Sequence, residues 1–340
     1  TSALVMLGRV RNDEVMQDSA RAFANLTSNE ENHMTVYRHG GLQCLIYLTN
    51  VAEDDITKRY AAMGLRFLSS NPEVRVHIVK EDLLEPFLKL AHSDNLDYQR
   101  TAAHALSSFS MNGVNKMRLV QQGGLTNMLR SVKFNDLELQ RDCMFAIANI
   151  SDSPEYHDDM VKENAVEVIS SVGAKAVDAR VQRSAARALA NLSINESLRM
   201  LLLDLGVLST LHSLSRSLDY ATQRFAALAQ TNLAVGRREE KDKMLVQGAV
   251  RPLTFLARFP DAQIQCAAAT ALAGLALGDT RGSGKKLQII KDGAIRPLAD
   301  LVQYPDVEVK RCALLGLCSL TLGVHQQCKH SVANAGVLAS

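Results

Sequence analysis

Tryptophan is absent from this 340-residue chain, and only seven residues are proline. With 47% apolar residues, so few helix breakers fit an all-helical protein. The six cysteines (Cys44, Cys143, Cys266, Cys312, Cys318 and Cys328) include no CxxC pair. Most fall on apolar helix positions, so they are expected to be buried free thiols in a reducing compartment. No run approaches the roughly 18 apolar residues that a membrane-spanning helix needs, and no signal peptide opens the chain. The formal net charge is only +2, so bulk electrostatics point to neither nucleic acid nor membrane. A cytoplasmic location is the resulting expectation, with cytoskeletal or ciliary association as the alternative.

What is present is a repeat. In Arg183 to Ser193, RSAARALANLS, the residues Ala185, Ala188, Leu189 and Leu192 fall at i, i+3, i+4 and i+7, one face of a helix. With Asn191 as anchor, the same place is held by Asn25, Phe67, Ser108, Asn149, Asn191, Asn232, Gly274 and Ser319, at spacings of 42, 41, 41, 42, 41, 42 and 45. Alanine stands three residues before six of these anchors (Ala22, Ala105, Ala146, Ala188, Ala229 and Ala271), small enough for helices to lie close. A fixed period of this size predicts a helical solenoid, each unit packing on its neighbours rather than into one globular core.

A second marker follows each anchor: Gly40, Asp82, Gly123, Asn164, Gly206, Gly248, Gly293 and Gly336. These residues accept a left-handed backbone most easily. Each unit therefore reads as a short helix, a turn at this marker, a second helix, and the long anchor-bearing third helix.

The ALxNL-type segments, with Ala188-Leu189-Ala190-Asn191-Leu192 the cleanest, resemble the armadillo repeat family, specifically its scaffold-type arrays. The pairs Gly248-Ala249 and Gly293-Ala294, followed by Arg-Pro-Leu, match as well. The resemblance covers the whole chain. It implies an all-α, right-handed superhelical solenoid with three helices per unit of about 42 residues, and third helices lining a concave groove. The expected units are a partial repeat 1–27, repeats at about 28–69, 70–111, 112–152, 153–193, 194–235, 236–277 and 278–322, and a partial repeat 323–340. No linker or composition shift separates domains. The chain opens inside a repeat and stops just after a turn glycine, so both ends are expected to be cut.

Several constellations can be weighed. The insertion Gly278 to Lys286 is glycine-rich, but the phosphate-loop pattern GxxxxGK followed by Ser or Thr is not met: Gly278 and Gly284 lie one residue too far apart, and Lys286 replaces the hydroxyl residue. A surface loop is the expectation. Arg237 to Lys243 is a charge run that reads as a solvated first helix. His325, Cys328 and His330 cluster, but four ligands are needed for a structural zinc site. No nucleophile, base and orienting acid can be placed together. No enzyme activity, cofactor, metal or small-molecule substrate is expected.

Two columns of the third helices remain as candidate groove residues. Asn25, Asn149, Asn191 and Asn232 hold four of the eight anchors; an amide there can pair with an extended peptide backbone or make a structural hydrogen bond within the array. Eight residues earlier stand Arg59, Arg100, Arg141, Arg183, Arg224 and Arg311, interrupted by Gln17 and Cys266. They form either a basic rail for carboxylates or phosphates, or a set of intramolecular pairs such as Glu308 with Arg311. Four residues before the anchor, where the family's import receptors carry tryptophan, this chain has Arg21, Met63, His104, Phe145, Arg187, Leu228, Thr270 and Leu315. That composition disfavours a nuclear import carrier, and Arg21 and Arg187 would repel a basic peptide. The expected function is a non-enzymatic protein-binding scaffold whose partner is an acidic extended or helical segment, tubulin tails included. The alternative is a structural component of a cytoskeletal or ciliary assembly.

Overall fold

A computed structural model of the chain describes residues 2–80, 84–277, 284–322 and 326–334. Among them there is no strand; 24 α-helices and three short 3-10 turns follow one another. The chain divides into two compact units, Thr1–Ile150 and Ser151–Ser340. The expected turns at Glu81-Asp82 and Gly336, the insertion residues 278–283 and His325 lie outside the described residues.

Eight long helices carry the anchors: α1 (Asp13–Thr27), α2 (Asp55–Ser70), α3 (Leu96–Phe109), α4 (Leu137–Ser151), α5 (Ala179–Ile194), α6 (Tyr220–Ala234), α7 (Ala262–Ala276) and α8 (Val307–Thr321). Each starts for the same reason. Thirteen residues before every anchor stands Asp or Asn: Asn12, Asp54, Asn95, Asp136, Asp178, Asp219, Asp261 and Asp306. The side-chain oxygen accepts a backbone N–H of the first turn in all eight, as in Asp54 with Thr57 at 2.7 Å and Asp136 with Leu139 at 3.0 Å. An N-cap of this kind is worth about 1 kcal/mol. It is the most regular polar column in the chain.

The helix-turn-helix portion forms where expected. Gly40, Gly123, Gly206, Gly248 and Gly293 all have φ between 71° and 91°, and Asn164 has φ 56°. Gly206 has open space around its Cα, so its left-handed backbone alone selects glycine there. The first helices of three repeats begin with a 3-10 turn: Glu30–Asn32, Pro154–Tyr156 and Glu196–Leu198.

In the first unit, α1 packs on α2 and α2 on α3, while Gly41–Val51 covers α2 and Glu85–Ala91 covers α3. Phe23, Phe87 and Phe109 are fully buried, Phe87 and Phe109 edge to face at 5.3 Å. In the second unit, α5 packs on α6, α6 on α7 and α7 on α8. The buried face of α5 is almost entirely small (Ala185, Ala186, Ala188, Ala190) with Leu189 and Leu192. That lets Gly173, on the helix Ala165–Lys175, lie where an added Cβ would sit 2.8 Å from Ala185 Cβ.

Two expectations need correction. Arg237 to Lys243 is not simply a solvated run. The helix Arg238–Val246 buries Glu240, whose carboxylate accepts the Arg237 N–H at 2.5 Å, and ties Asp242 to Lys285 and Lys243 to Asp204. Charge here is spent on neighbouring repeats, because the first helices stack on one another. Nor are all cysteines free thiols: Cys266 on α7 and Cys312 on α8 form a disulfide, while Cys44, Cys143 and Cys328 are buried thiols and Cys318 is exposed. The pair was illegible because the two residues occupy different repeat positions, eight and seven residues before their anchors. Close packing of α7 on α8 nevertheless brings their Cα atoms to 5.5 Å.

Candidate partner-binding face

The anchor amides are joined to the preceding repeat. Asn149 Nδ2 donates to Ser110 Oγ at 2.9 Å, Asn191 Nδ2 to Ser151 Oγ at 3.1 Å and Asn232 Nδ2 to Ser193 Oγ at 3.1 Å. Each serine stands two residues beyond the previous anchor. Asn149 is buried, Asn191 and Asn232 are half-buried, and Asn25 is exposed. Three of the four candidate amides thus make a structural rung, whatever else their remaining valences do.

The ladder has a chemical rule. Asn149, Asn191 and Asn232 each follow a repeat that supplies serine. Before Gly274 that place is Ala234, and an added Cβ on Gly274 would lie 2.7 Å from the Ala234 carbonyl oxygen. No side chain fits, so the rung is replaced by close backbone approach.

The arginine column also looks inward. Arg100 grips Asp136 through Nη2 at 2.6 Å and Nε at 3.3 Å; Arg183 grips Asp219 through Nη2 at 2.5 Å and Nε at 3.0 Å. Asp136 and Asp219 are the N-caps of the next third helix, so each fork braces one repeat to the next. The Arg183 guanidinium holds the Asp219 carboxyl well below its ordinary range, at about 2, and Asp136 is lowered for the same reason by Arg100. Arg59 lies 3.8 Å from Asp97, and Arg311 pairs with Glu308 at 2.9 Å, three residues away on its own helix. Arg141 is half-buried on α4. Arg224 is exposed and makes no ion pair among the described residues.

Four residues before the anchors, Arg21 lies over the Tyr60 ring at 5.3 Å and beside Asp18 at 3.8 Å. Arg187 is half-buried; desolvation lowers its pKa, and the Asp152 carboxylate opposes that. His104 faces Asp142 at 3.6 Å.

A further column was not anticipated. Basic side chains on the first helices bind the carbonyls at third-helix C-termini. His33 Nε2 meets Thr27 O at 2.6 Å, Arg75 reaches Ser108 O at 2.9 Å, His157 Nε2 meets Ser151 O at 2.8 Å, and Arg199 Nε reaches Ser193 O at 3.2 Å. Lys286 Nζ donates to Leu322 O. The unsatisfied carbonyls and negative end of a helix favour such partners. The signal was available: His33, Arg75, Lys116, His157 and Arg199 all stand eight residues after an anchor. Lys285 and Lys286, the two lysines of the glycine-rich insertion, are both engaged inside the fold, and among the described residues no cluster of metal-ligand type occurs.

Two hollows open between third helices and are lined only by third-helix residues. The one in the first unit, about 260 Å³, is ringed by charge: Arg59, Arg66, Arg100, Asp97 and Glu138, with Arg66 and Arg100 both reaching Glu138. The one in the second unit, about 330 Å³, lies between α6 and α7 and is mostly apolar: Ala221, Phe225, Leu228 and Ala267, with Arg224 and Gln263.

This architecture is an α-solenoid. Comparison with known proteins defines it further: the chain is an all-α array of armadillo-like repeats. An engineered protein of known crystal structure is 28% identical with TM-score 0.80, covering 99% of this chain and 82% of that one. A designed armadillo repeat protein in complex with a (KR)4 peptide is 23% identical with TM-score 0.62, over 70% of this chain and 99% of that one. Computationally designed armadillo repeat proteins for modular peptide recognition reach TM-score 0.64 at 23% identity, over 69% and 99%. No family model matches the sequence. Among curated proteins, the Arabidopsis thaliana protein CELLULOSE SYNTHASE INTERACTIVE 3 is 21% identical over 159 residues, 46% of this chain but only 7% of that protein's length.

Proposed function

We propose that the protein is a non-enzymatic scaffold that binds a segment of another protein along the face made by its third helices. The observation that carries this reading is that in each unit a hollow is walled by third-helix side chains alone, so a segment laid across successive third helices of a unit would meet a pocket and hydrogen-bonding groups. Peptide recognition by designed armadillo repeat proteins supports it. The basic character of the (KR)4 peptide does not carry over, because Arg21, Arg59, Arg187 and Arg224 stand on this face and no tryptophan exists to stack on lysine stems. Acidic segments, tubulin tails among them, are the partners this charge pattern favours. The acid preference rests on fewer arginines than the full column, since Arg100 and Arg183 are already matched by Asp136 and Asp219.

Crosslinking mass spectrometry on partners captured from the native cell tests the reading. Crosslinks that bridge the partner to residues of α1 to α8 are expected; crosslinks confined to the first and second helices would overturn it.

A further inference from the structure

The hollow between α6 and α7 is lined by no acidic residue, unlike the charged hollow of the first unit. Its walls come from the places eleven, seven and four residues before the anchors. In four other repeats the first two of these places include an acid (Glu14 and Asp18, Asp97, Glu138 and Asp142, Glu308), while Ile56 and Tyr60, and Arg180 and Ser184, hold them in the remaining two. In the repeats of Asn232 and Gly274 they hold Ala221 and Phe225, and Gln263 and Ala267, with no acid. Two alanines open the space; Phe225 and the exposed Leu228 line it.

Arg224 stands at its rim. The equivalent Arg100 and Arg183 are held by the N-cap aspartate of the following third helix. Arg224 is not: Asp261 caps Gln263 and Ile264 through Oδ1, and no ion pair to Arg224 forms. One turn beyond Leu228, Asn232 commits its Nδ2 to Ser193 and Ala190. The site thus offers an apolar slot and an uncommitted guanidinium, with no carboxylate among its lining residues.

We infer that this hollow is the specificity pocket for the partner segment: it takes one bulky aliphatic or phenylalanine side chain whose immediate neighbour in sequence is Asp or Glu, the carboxylate being clamped by Arg224. A buried apolar side chain supplies affinity, and the bidentate Arg–carboxylate contact fixes register. The inference rests on the scaffold reading and narrows it to one pocket and one chemistry.

The test is selection from a displayed library of random dodecapeptides on the full 340-residue chain, followed by affinity measurement of the synthesised winners on the protein and on Arg224→Glu, Leu228→Asp and Ala267→Asp. All three positions are at least partly exposed, and circular dichroism checks that each variant folds. The expected result is a shared motif of a bulky apolar residue beside Asp or Glu, with affinity lowered at least about tenfold, or roughly 1.4 kcal/mol, by each substitution. Arg224→Glu should also turn the neighbouring preference from acid to Lys or Arg. Winners with basic or motif-free sequences, or winners whose affinity is unchanged in all three variants, would overturn the pocket while leaving a peptide-binding face elsewhere on the third helices. Failure to enrich any peptide, together with crosslinks confined to the first and second helices, would sink both.

Discussion

Asn232 Nδ2 lies 3.1 Å from Ser193 Oγ, and that hydroxyl in turn donates to Ala190 O at 2.6 Å. The amide, the hydroxyl and a helix carbonyl form one relay from α6 into α5. The serine can accept from the next repeat because its own proton is directed down its helix.

Removing either end should weaken the array by about 1 kcal/mol, the usual net worth of such a bond. Asn232→Ala and Ser193→Ala are expected to lower the urea midpoint similarly, and the double variant to lose less than the sum of the two. Additive losses would show that the pair is not coupled.

The Arg183–Asp219 brace sets a pH dependence. Hydrogen bonding from Arg183 holds the Asp219 pKa at about 2, below its ordinary 3.8, with Thr222 adding to the effect. A carboxyl depressed on folding contributes stability that is fully present above its unfolded pKa and lost as pH falls through the folded value. Wild type should therefore exceed Asp219→Asn in stability at neutral pH, with the gap closing between about pH 4 and about pH 2. Denaturant midpoints across that window check it; a gap that persists to the acid end would contradict the brace.

At Gly206 the φ of 71° occurs in open space. Gly206→Ala should destabilise by about 1 kcal/mol through the backbone alone, and Gly206→Asn by less, since Asn164 holds the equivalent turn at φ 56°. Thermal melts of the two variants distinguish them.

Alkylation in denaturant without reductant should label four cysteines, and six after reduction, with Cys266 and Cys312 the late pair. Peptide mapping by mass spectrometry reads this directly; equal early labelling of all six would show the thiols free.

How much of this could be read beforehand follows from which interactions repeat in sequence. The third helices were legible because small residues recur at helical spacing around Asn191, and the turns because only Gly, Asn or Asp tolerates their backbone. The N-cap column from Asn12 to Asp306 was equally regular, yet it lies outside the apolar stripe that guided the phasing. What sequence could not resolve was the choice between partner and neighbour for each polar column. Arg183 and Arg224 occupy the same repeat position; one is bound by Asp219 and the other stands clear of Asp261. The anchor amides were ambiguous in the same way, although the serine 39 or 40 residues upstream of Asn149, Asn191 and Asn232 is a visible clue once distances are known.

Repeat arrays invite the idea that their modules can be shuffled like beads. Gly274 argues otherwise. Transplanting the Arg183–Ser193 segment onto 266–276 would set an asparagine where an added Cβ meets the Ala234 carbonyl oxygen at 2.7 Å, and would erase Cys266, severing the link to Cys312. The copies are alike in outline but each is cut to its predecessor, so their order along the chain is itself inherited information.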